Sequence, residues 1–314
     1  MYRYGLLQLK EVNIGDVVQS LAAKQFLPRV DVYVDREQLS KVKSDKRIRL
    51  IMNGWFKSIP QDWPPSPDID PLFVSFHISP GCAKELTSDE SIKYFKEHQP
   101  IGCRDYYTRD LLREKGVDAF FSGCLTLTLK SNITEKSDEI LLVDLDKEAV
   151  KNLPTEILNK SAVLDYYRYA PFVQKMYNLI KNRCSFVDNL KEKTPYQLQY
   201  RLTSLLSKRA TSKKLRGAER FLERYAKAKL VVTSRLHCAL PCLAFGTPVV
   251  FVHKNLKDPR FGGLVEYLRA YSLEEFKDKV CQIDWESPEP NPKSIRKIRE
   301  DLTRICKSFV SAYD

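Results

Sequence analysis

A strand-to-helix turn around residue 234 brings together groups that could bind an anion and move a proton. An apolar run ends in Thr233, and a helical pattern from Arg235 to Phe245 follows it at once. Ser234, Arg235 and His237 supply a hydroxyl, a guanidinium and an imidazole that titrates near neutral pH. We expect Thr233 or Ser234 to cap the helix, and Arg235 and His237 to fall in its first turn beside unbonded N–H groups. Such a set could hold a phosphorylated anion and transfer a proton.

An earlier turn carries a related pattern. Asn13, Gly15 and Asp16 follow the first predicted strand, Tyr4–Gln8, and open the first predicted helix. Glycine lets a ligand approach the backbone closely, and the start of a helix attracts anions. The same residues are also typical of a plain helix cap, with Asn13 or Asp16 as the capping residue. Both interpretations stay open for this turn.

A third turn adds an arginine. Arg104 and Asp105 lie between a predicted strand that ends in Cys103 and a predicted helix that begins at Tyr106. Open α/β sheets bind ligands beyond the carboxyl ends of their strands, where an arginine suits a carboxylate or a phosphate. We expect Asp105 to cap the helix, and a salt bridge between Arg104 and Asp105 is the structural alternative.

Two further segments are weaker candidates for the same site. His77 and Ser79 end the predicted strand Phe73–His77, next to a turn that contains Gly81. Arg260 stands in another glycine-containing turn and would suit a phosphate contact. We expect His77 and Ser79 to line a binding cleft, with ordinary structural roles as the alternative for all three side chains.

Other chemistries find no support in the residue pattern. The eight cysteines are scattered, and the one close pair, Cys238 and Cys242, has no second pair with which to form a zinc site. No GxSxG motif indicates a serine hydrolase. We therefore expect no metal, and a reducing, cytoplasmic setting. The N-terminus lacks the pattern of a signal peptide, and no apolar run is long enough to predict a membrane span.

The elements that must position these residues alternate between short apolar runs and helical patterns. This alternation is typical of an α/β fold with mostly parallel sheets. A polar segment at 130–138 predicts a boundary between an N-terminal domain at 1–135 and a C-terminal domain at 136–290. The patterns also predict a strand at 49–52, helices at 166–182 and 197–207, and a last helix within 291–314.

The basic charge of the chain is concentrated in its second half. The 314 residues include 52 Lys and Arg against 40 Asp and Glu, a net charge of +12, yet residues 1–135 contain 19 basic and 18 acidic side chains. The excess is densest at 191–229, with 12 basic and 3 acidic residues. This stretch is either a solvated loop or a surface for an anionic acceptor or lipid headgroups. Nucleic acid is not expected, because aromatic residues are not interleaved with the charges.

Taken together, the three turns resemble the polysaccharide pyruvyl transferase family. The resemblance rests on Asn13–Asp16, on Arg104–Asp105, and on Ser234–His237 followed by Gly246–Pro248, and it spans residues 4 to about 265. Members are similar to GT-B glycosyltransferases, with two Rossmann-like domains that face a cleft and a C-terminal helix that packs back on the first domain. The resemblance implies this architecture here, with the acceptor on the N-terminal side and the donor on the C-terminal side.

The resemblance also implies a reaction, the transfer of a pyruvyl group from phosphoenolpyruvate to two hydroxyls of a sugar or lipid-linked glycan. A ketal forms and phosphate is released, and phosphoenolpyruvate is a co-substrate, so no cofactor is implied. His237 is then the expected acid or base, Arg235 and Arg104 would hold the phosphate and the carboxylate, and His77 would be a second proton carrier. The further residues expected to bind substrate are Asn13, Gly15, Asp16, Ser234, Leu236, Ser79 and Arg260.

Two other functions stay open at this point. A glycosyltransferase with a nucleotide-sugar donor would suit the same cleft, and a non-catalytic protein could bind an anionic glycan or a membrane surface through residues 191–229. The resemblance favours the pyruvyl transferase, acting in the cytoplasm with the basic stretch as a peripheral membrane contact.

Overall fold

The chain folds around two separate β-sheets, each flanked by helices. The computed structural model describes residues 2–8, 13–56, 61–164 and 211–312; the helices predicted at 166–182 and 197–207 and the basic residues at 191–210 lie outside them. Within the described residues, every pair of neighbouring strands is parallel. The prediction of an α/β fold with two Rossmann-like, mostly parallel sheets is therefore confirmed.

The first sheet contains six strands in the order β2-β1-β3-β4-β5-β6. The strands are β1 Arg3–Gln8, β2 Val32–Asp35, β3 Ile48–Phe56, β4 Ile69–Ile78, β5 Ile101–Cys103 and β6 Ala119–Phe121. Because β1 lies between β2 and β3, the strand order reverses there, and sheets of this kind bind ligands beyond the carboxyl ends at such a reversal. The turn that carries Asn13 follows β1 at this edge of the sheet.

The described residues of the first half of the chain form four helices. They are α1 Ile14–Lys24, α2 Ala83–Leu86, α3 Asp89–Glu97 and α4 Tyr106–Glu114. The sequence predicts most of these elements to within a few residues, but β3 and β4 are longer than the predicted 49–52 and 73–77. They extend because residues beyond the apolar runs still pair, with Trp55 opposite His77 at the carboxyl edge.

The second sheet contains five strands in the order β11-β10-β9-β7-β8. The strands are β7 Ile140–Val143, β8 Ala162–Leu164, β9 Leu230–Thr233, β10 Val249–Val252 and β11 Arg269–Tyr271. Its order reverses between β7 and β9, and open α/β sheets generally bind ligands beyond the carboxyl ends at such a reversal. The sequence does not predict β8 and β11, because each strand has only three residues and none of them is fully buried.

Among the described residues, six helices accompany the second sheet. They are α5 Lys147–Lys151, α6 Thr155–Lys160, α7 Thr211–Lys227, α8 Leu236–Phe245, α9 Leu273–Lys279 and α10 Arg296–Ser311. Helix α8 is apolar over almost its whole length, and it ends at Gly246, whose φ of 70° suits glycine at a helix C-terminus. None of the helices in the described ranges is both long and apolar enough to cross a membrane.

One apolar cluster is shared by both halves of the chain. It includes Val18 of α1, Tyr225 of α7, Leu240 of α8 and Leu302 of α10, together with residues from both sheets. Burial of apolar surface is the main stabilising contribution to a fold, so α1 and α8 are held against each other and against both sheets. The two sheets occupy residues 3–121 and 140–271, while the domain boundaries at 135 and 290 stay a prediction.

Arg49 on β3 binds the end of α10. Its Nη1 donates hydrogen bonds to the carbonyl oxygens of Phe309 at 2.6 Å and Val310 at 3.1 Å, and its Nε lies 3.4 Å from Oδ2 of Asp70. A cation beside the last carbonyl groups of a helix is favourable, because these groups carry partial negative charge. The last helix thus contacts the first sheet, although it follows the second sheet in sequence.

Candidate functional site

The N-termini of α1 and α8 meet at the carboxyl edges of the two sheets. Oδ1 of Asn13 accepts a hydrogen bond from the N–H of Gly15 at 3.0 Å, so Asn13 is the cap of α1. A Cβ placed on Gly15 would lie 3.1 Å from Cβ of His237 and 3.3 Å from its Nδ1. The missing side chain of Gly15 thus makes room for His237, and the approach of a ligand to this glycine stays a prediction.

Asp16 is also held within α1. It is buried, its Oδ1 accepts a hydrogen bond from Nε2 of Gln19 at 3.0 Å, and its Oδ2 lies 3.4 Å from Nδ2 of Asn13. Gln19 is buried too, and its backbone carbonyl accepts a hydrogen bond from Nδ2 of Asn53 at 2.9 Å. These polar side chains fix the first turns of α1 against β3. Substrate binding by Asn13 and Asp16 stays a prediction.

A bulge in β4 determines which way His77 faces. The pairing of β3 with β4 shifts by one residue next to Ser75, whose φ of 55° is left-handed. Phe73 and Phe76 consequently lie in the same apolar cluster, which strict alternation does not allow for residues three apart. His77 therefore lies on the opposite face of the sheet. β-Bulges often redirect a side chain in this way next to functional sites.

His77 and Asp105 form a buried pair across β4 and the start of α4. Nδ1 of His77 lies 2.6 Å from Oδ2 of Asp105, and neither side chain is exposed. Oδ1 of Asp105 accepts a hydrogen bond from the N–H of Thr108 at 3.0 Å, so Asp105 caps α4 as predicted. The salt bridge between Arg104 and Asp105, which the sequence suggests as the structural alternative, is present too, with Nε of Arg104 3.5 Å from Oδ2 of Asp105.

The environment keeps both histidines of the site neutral at neutral pH. Burial, with the positive charge of Arg104, lowers the pKa of His77 to about 4, although Asp105 opposes the shift. Burial, followed by the charges of Arg104 and Arg260, holds the pKa of His237 well below its usual 6.5. Burial by itself would raise the pKa of Asp105, but the hydrogen bond from His77 and the nearby Arg104 outweigh it and keep that pKa low.

Three arginines surround the two histidines at different depths. Arg104 is buried, with an exposed fraction of 1%, and its Nη1 lies 3.5 Å from Oε1 of Gln19. Arg235 and Arg260 keep 42% and 47% of their side chains exposed. The structure therefore does not bring Arg104 to the surface beside Arg235. The exposed guanidinium group that interacts electrostatically with Arg235 is that of Arg260.

Each exposed arginine is held by one aspartate. Nε of Arg235 donates to Oδ2 of Asp144 at 2.9 Å. Nε and Nη2 of Arg260 donate to the carboxylate of Asp258 at 2.9 and 2.7 Å. Both guanidinium groups are thus oriented in advance by a carboxylate, and arginine is suited to binding anions.

The start of α8 differs from the prediction. Arg235 occupies the cap position, without a side-chain hydrogen bond, and the helix begins with the buried Leu236. Oγ1 of Thr233 accepts from the N–H of Arg235 at 3.0 Å, and Oγ of Ser234 accepts from the N–H of Asp146 at 3.0 Å. The expectation that Thr233 or Ser234 caps α8 is wrong, because both hydroxyls are bonded to the backbone outside the helix. His237 lies in the first turn, as predicted, whereas Arg235 precedes it.

The other predicted residues lie around this centre. Ser79 is partly buried at the end of β4, where its N–H donates to the carbonyl oxygen of Phe56 at 2.5 Å. The basic stretch is described only from residue 211 onward, where α7 packs its apolar face on α1 and leaves Lys213, Arg216 and Arg220 exposed. In the ranges that the structure covers, no three His, Cys, Asp or Glu side chains are placed to hold a metal ion.

The sequence did not identify two side chains of the site, the carboxylate of Asp144 and the amide of Gln19. Asp144 holds Arg235, and it follows β7 directly, at a φ of 41°. Its place after a buried strand is a signal that could have found it, because ligand sites collect at such edges. Gln19 touches both Asp16 and Arg104, but it lies mid-helix, where nothing in its neighbours distinguishes it from a surface glutamine.

The comparison with protein families agrees with the resemblance stated above. The family model of the polysaccharide pyruvyl transferases matches residues 13–252. No curated protein matches the chain. Among solved structures, an uncharacterized protein from Klebsiella pneumoniae is 14% identical over 86% of this chain and 92% of its own, with a TM-score of 0.43. The UDP-GlcNAc 2-epimerase from Methanocaldococcus jannaschii is 13% identical over 97% of this chain and 100% of its own, with a TM-score of 0.38.

Proposed function

The chain belongs to the polysaccharide pyruvyl transferase family, and we propose that it transfers a pyruvyl group from phosphoenolpyruvate to two hydroxyls of a glycan or glycan precursor. One observation carries the proposal. Two histidines that are neutral at neutral pH, His77 and His237, lie within the electrostatic reach of Arg104 and Arg260 at the edge where α1 and α8 meet. This combination suits a substrate that carries several negative charges and reacts by proton transfer.

The reaction balances without a further reactant. Phosphoenolpyruvate gains a proton on its CH₂ carbon, and its central carbon forms bonds to two acceptor oxygens while the bond to the phosphate oxygen breaks. The acceptor loses two hydroxyl protons, of which one ends on the new methyl group and the other on the released phosphate. The protein must therefore bind a phosphate and a carboxylate, supply a proton to carbon and remove protons from oxygen.

Arg235 and Arg260 are the groups that we assign to the charged ends of phosphoenolpyruvate. Their guanidinium groups are partly exposed and are oriented by Asp144 and Asp258. Arginine suits both phosphate and carboxylate, because its planar fork donates two parallel hydrogen bonds. Arg104, which the sequence suggests as a direct ligand, would add its positive charge from beneath the surface.

His237 is the group that we assign to protonation of the CH₂ carbon. It lies in the first turn of α8, two residues after Arg235, and it is the least buried of the two histidines. Without a ligand, burial and then the charges of Arg104 and Arg260 hold its pKa low. A bound anion opposes these positive charges and raises the pKa of His237, so the substrate itself would load the acid with its proton.

Ligand-induced stabilisation tests the donor, and phosphate release in the presence of candidate sugars tests the acceptor. We expect phosphoenolpyruvate to raise the melting temperature of the wild-type protein, since a ligand at 100 times its Kd stabilises a fold by about 2.7 kcal/mol. A shift with nucleotide-sugars and none with phosphoenolpyruvate would favour a glycosyltransferase instead. Release of phosphate is then followed with a panel of methyl glycosides that offer 1,2- or 1,3-related hydroxyls, because these give five- or six-membered ketal rings.

The variant His237→Ala tests the role of the imidazole. We expect it to fold and to release no phosphate from phosphoenolpyruvate, while His253→Ala, in a surface turn, keeps wild-type turnover. Normal turnover by His237→Ala would remove His237 from the mechanism. Loss of function on neutralising Lys213 and Arg216, with His237→Ala unaffected, would instead favour a non-catalytic protein that binds an anionic glycan or a membrane.

The basic stretch at 191–229 extends this proposal to the acceptor. Its 12 basic and 3 acidic residues would attract a lipid-linked glycan at an anionic membrane surface in the cytoplasm. Co-sedimentation of the protein with vesicles that contain an anionic lipid, but not with neutral vesicles, is the result expected.

A further inference from the structure

The His77–Asp105 pair has the geometry of a base that is held by a carboxylate. Nδ1 of His77 lies 2.6 Å from Oδ2 of Asp105. An ionised carboxylate only accepts hydrogen bonds, so Nδ1 carries the proton and Nε2 carries the lone pair. The carboxylate is itself fixed, because its second oxygen accepts the N–H of Thr108 at the start of α4. Asp105 thus determines both the tautomer and the ring orientation of His77.

The other ring nitrogen of His77 is not accounted for by the fold. Nε2 is buried and has no hydrogen-bond partner within the part of the chain that the structure describes. Oγ of Ser75 on the same strand and Nε of Arg104, which lies 3.5 Å from Oδ2 of Asp105, are also buried and lack a hydrogen bond there. An unsatisfied buried polar atom costs about 1–3 kcal/mol. Three such atoms around the ends of neighbouring strands β4 and β5 point to a place for a polar group of a ligand.

The bulge at Ser75 supports the same interpretation. A left-handed φ of 55° is costly for serine, and a regular strand would turn His77 toward the apolar cluster that contains Phe73 and Phe76. The strain instead places the imidazole beside Asp105 and on the face that α1 and α8 cover. Strain of this kind persists where the surrounding structure enforces it, and it is most common at functional sites.

We infer that His77 is the base that takes the proton from an attacking hydroxyl of the acceptor, and that Asp105 is the residue that positions it. The inference rests on the proposed function and names its second proton carrier. The O–H bond of the acceptor breaks and its proton moves to Nε2. The electron pair left on the oxygen forms the bond to the central carbon of the pyruvyl group, as the bond from this carbon to the phosphate oxygen breaks. The proton then leaves with the phosphate.

The charges around His77 are consistent with a base that is neutral before the reaction. Asp105 favours the protonated ring, whereas Arg104, which follows β5, and Arg260, which follows β10, oppose it. His237 at the start of α8 is the fourth titratable group within reach. Asp105 therefore stabilises the imidazolium that forms when the hydroxyl gives up its proton.

The variant Asp105→Asn separates positioning from helix capping. Asparagine is as good a cap as aspartate, so the bond to the N–H of Thr108 is kept. Its amide donates to Nδ1, which moves the proton of His77 to Nε2 and removes the lone pair that accepts the hydroxyl proton. We expect kcat to fall by about 10²-fold or more, with little change in the melting-temperature shift caused by phosphoenolpyruvate. The variant His77→Gln should lose a similar factor.

A matched control and a spectroscopic readout exclude a merely structural effect. Asp284→Asn makes the same change at an aspartate that accepts two backbone N–H groups in an exposed turn, and it should leave kcat unchanged. In ¹⁵N NMR of the imidazole ring, wild-type His77 should show a protonated Nδ1, and Asp105→Asn a protonated Nε2.

Each outcome decides the inference. A protonated Nε2 in the wild-type protein, or wild-type kcat in Asp105→Asn, overturns it, and the wild-type spectrum does so even if the variant does not fold. Absence of any response of the wild-type protein to phosphoenolpyruvate overturns the proposed function, whereas the tautomer of His77 is measured without a substrate. The two failures are therefore distinguishable.

Discussion

The left-handed backbone of Ser75 determines the side of the first sheet on which His77 lies. The φ of 55° at Ser75 accompanies a one-residue shift between β3 and β4, so that Phe73 and Phe76 share one face and His77 takes the other. Without the extra residue, the alternation of a strand would bury His77 among phenylalanines. The chemistry of the site thus depends on a backbone conformation as well as on side chains.

Substitutions at Ser75 test this dependence. Ser75→Gly should keep the bulge and stay within about 1 kcal/mol of the wild-type free energy of unfolding, because glycine adopts a positive φ at little cost. Ser75→Val should lose about 2 kcal/mol or more, because a β-branched residue is strained there. Urea unfolding measures both, and equal stability of the two variants would contradict the role given to the bulge.

This bulge also illustrates what the sequence can and cannot predict. The apolar run around Phe73 predicts a strand, and the end of the strand marks His77 as a candidate. The pattern alone does not show that Ser75 is left-handed, because serine is not a residue that requires a positive φ. The pairing of His77 with Asp105 could not be predicted either, since it depends on the register of β4 against β5.

The sequence predicts the two sheets better than it predicts how deeply each arginine is buried. Buried strands such as β9 and β10 are continuous apolar runs, and they follow the pattern expected of parallel sheets. Arg104 and Arg235 both follow strands in sequence, yet one is buried and the other is exposed. The difference arises from what packs above them, and this involves contacts between α1, α8 and both sheets.

Gly15 provides a test of the contact between α1 and α8. In Gly15→Ala, the new Cβ would lie 3.1 Å from Cβ of His237, which is close enough to displace the imidazole by a few tenths of an ångström. Alanine favours the helix by about 1 kcal/mol at most, so the free energy of unfolding should change little. We expect kcat to fall about tenfold, because small displacements of a reacting group are costly.

Gly81→Ala is the control for this substitution. The nearest atom to its new Cβ is Oγ of Ser79 at 4.0 Å, so no side chain has to move. Its kcat and stability should equal those of the wild type. A similar fall in kcat for Gly81→Ala, or none for Gly15→Ala, would show that the contact with His237 does not matter for turnover.

The stability of the protein should fall as the pH is lowered through the range where unfolded histidine takes up protons. In the folded state the pKa of His77 is about 4 and that of His237 is well below 6.5, whereas the unfolded chain binds these protons near pH 6.5. The unfolded state thus binds more protons below pH 6.5, and the free energy of unfolding decreases from there toward pH 4.

The size of this effect can be measured on one histidine at a time. The shift of His77 corresponds to a loss of about 3 kcal/mol between pH 6.5 and 4. Urea unfolding at a series of pH values should show a smaller dependence in His77→Gln than in the wild type. An unchanged slope in His77→Gln would contradict the neutral, buried state of this ring.

Arg260 offers a test of anion binding that leaves the histidines in place. It is 47% exposed and bound by Asp258 through two hydrogen bonds, so it can present its remaining N–H groups to an anion. A hydrogen bond between charged groups contributes about 1.5–3 kcal/mol, and Arg260→Gln should therefore raise KM for phosphoenolpyruvate about 10- to 100-fold. The KM of Arg260→Lys should lie between those of the wild type and Arg260→Gln, because lysine keeps the charge and lacks the planar fork. Arg296→Gln, at an 84% exposed arginine of α10, should leave KM unchanged, and equal KM values for all three variants would remove Arg260 from the site.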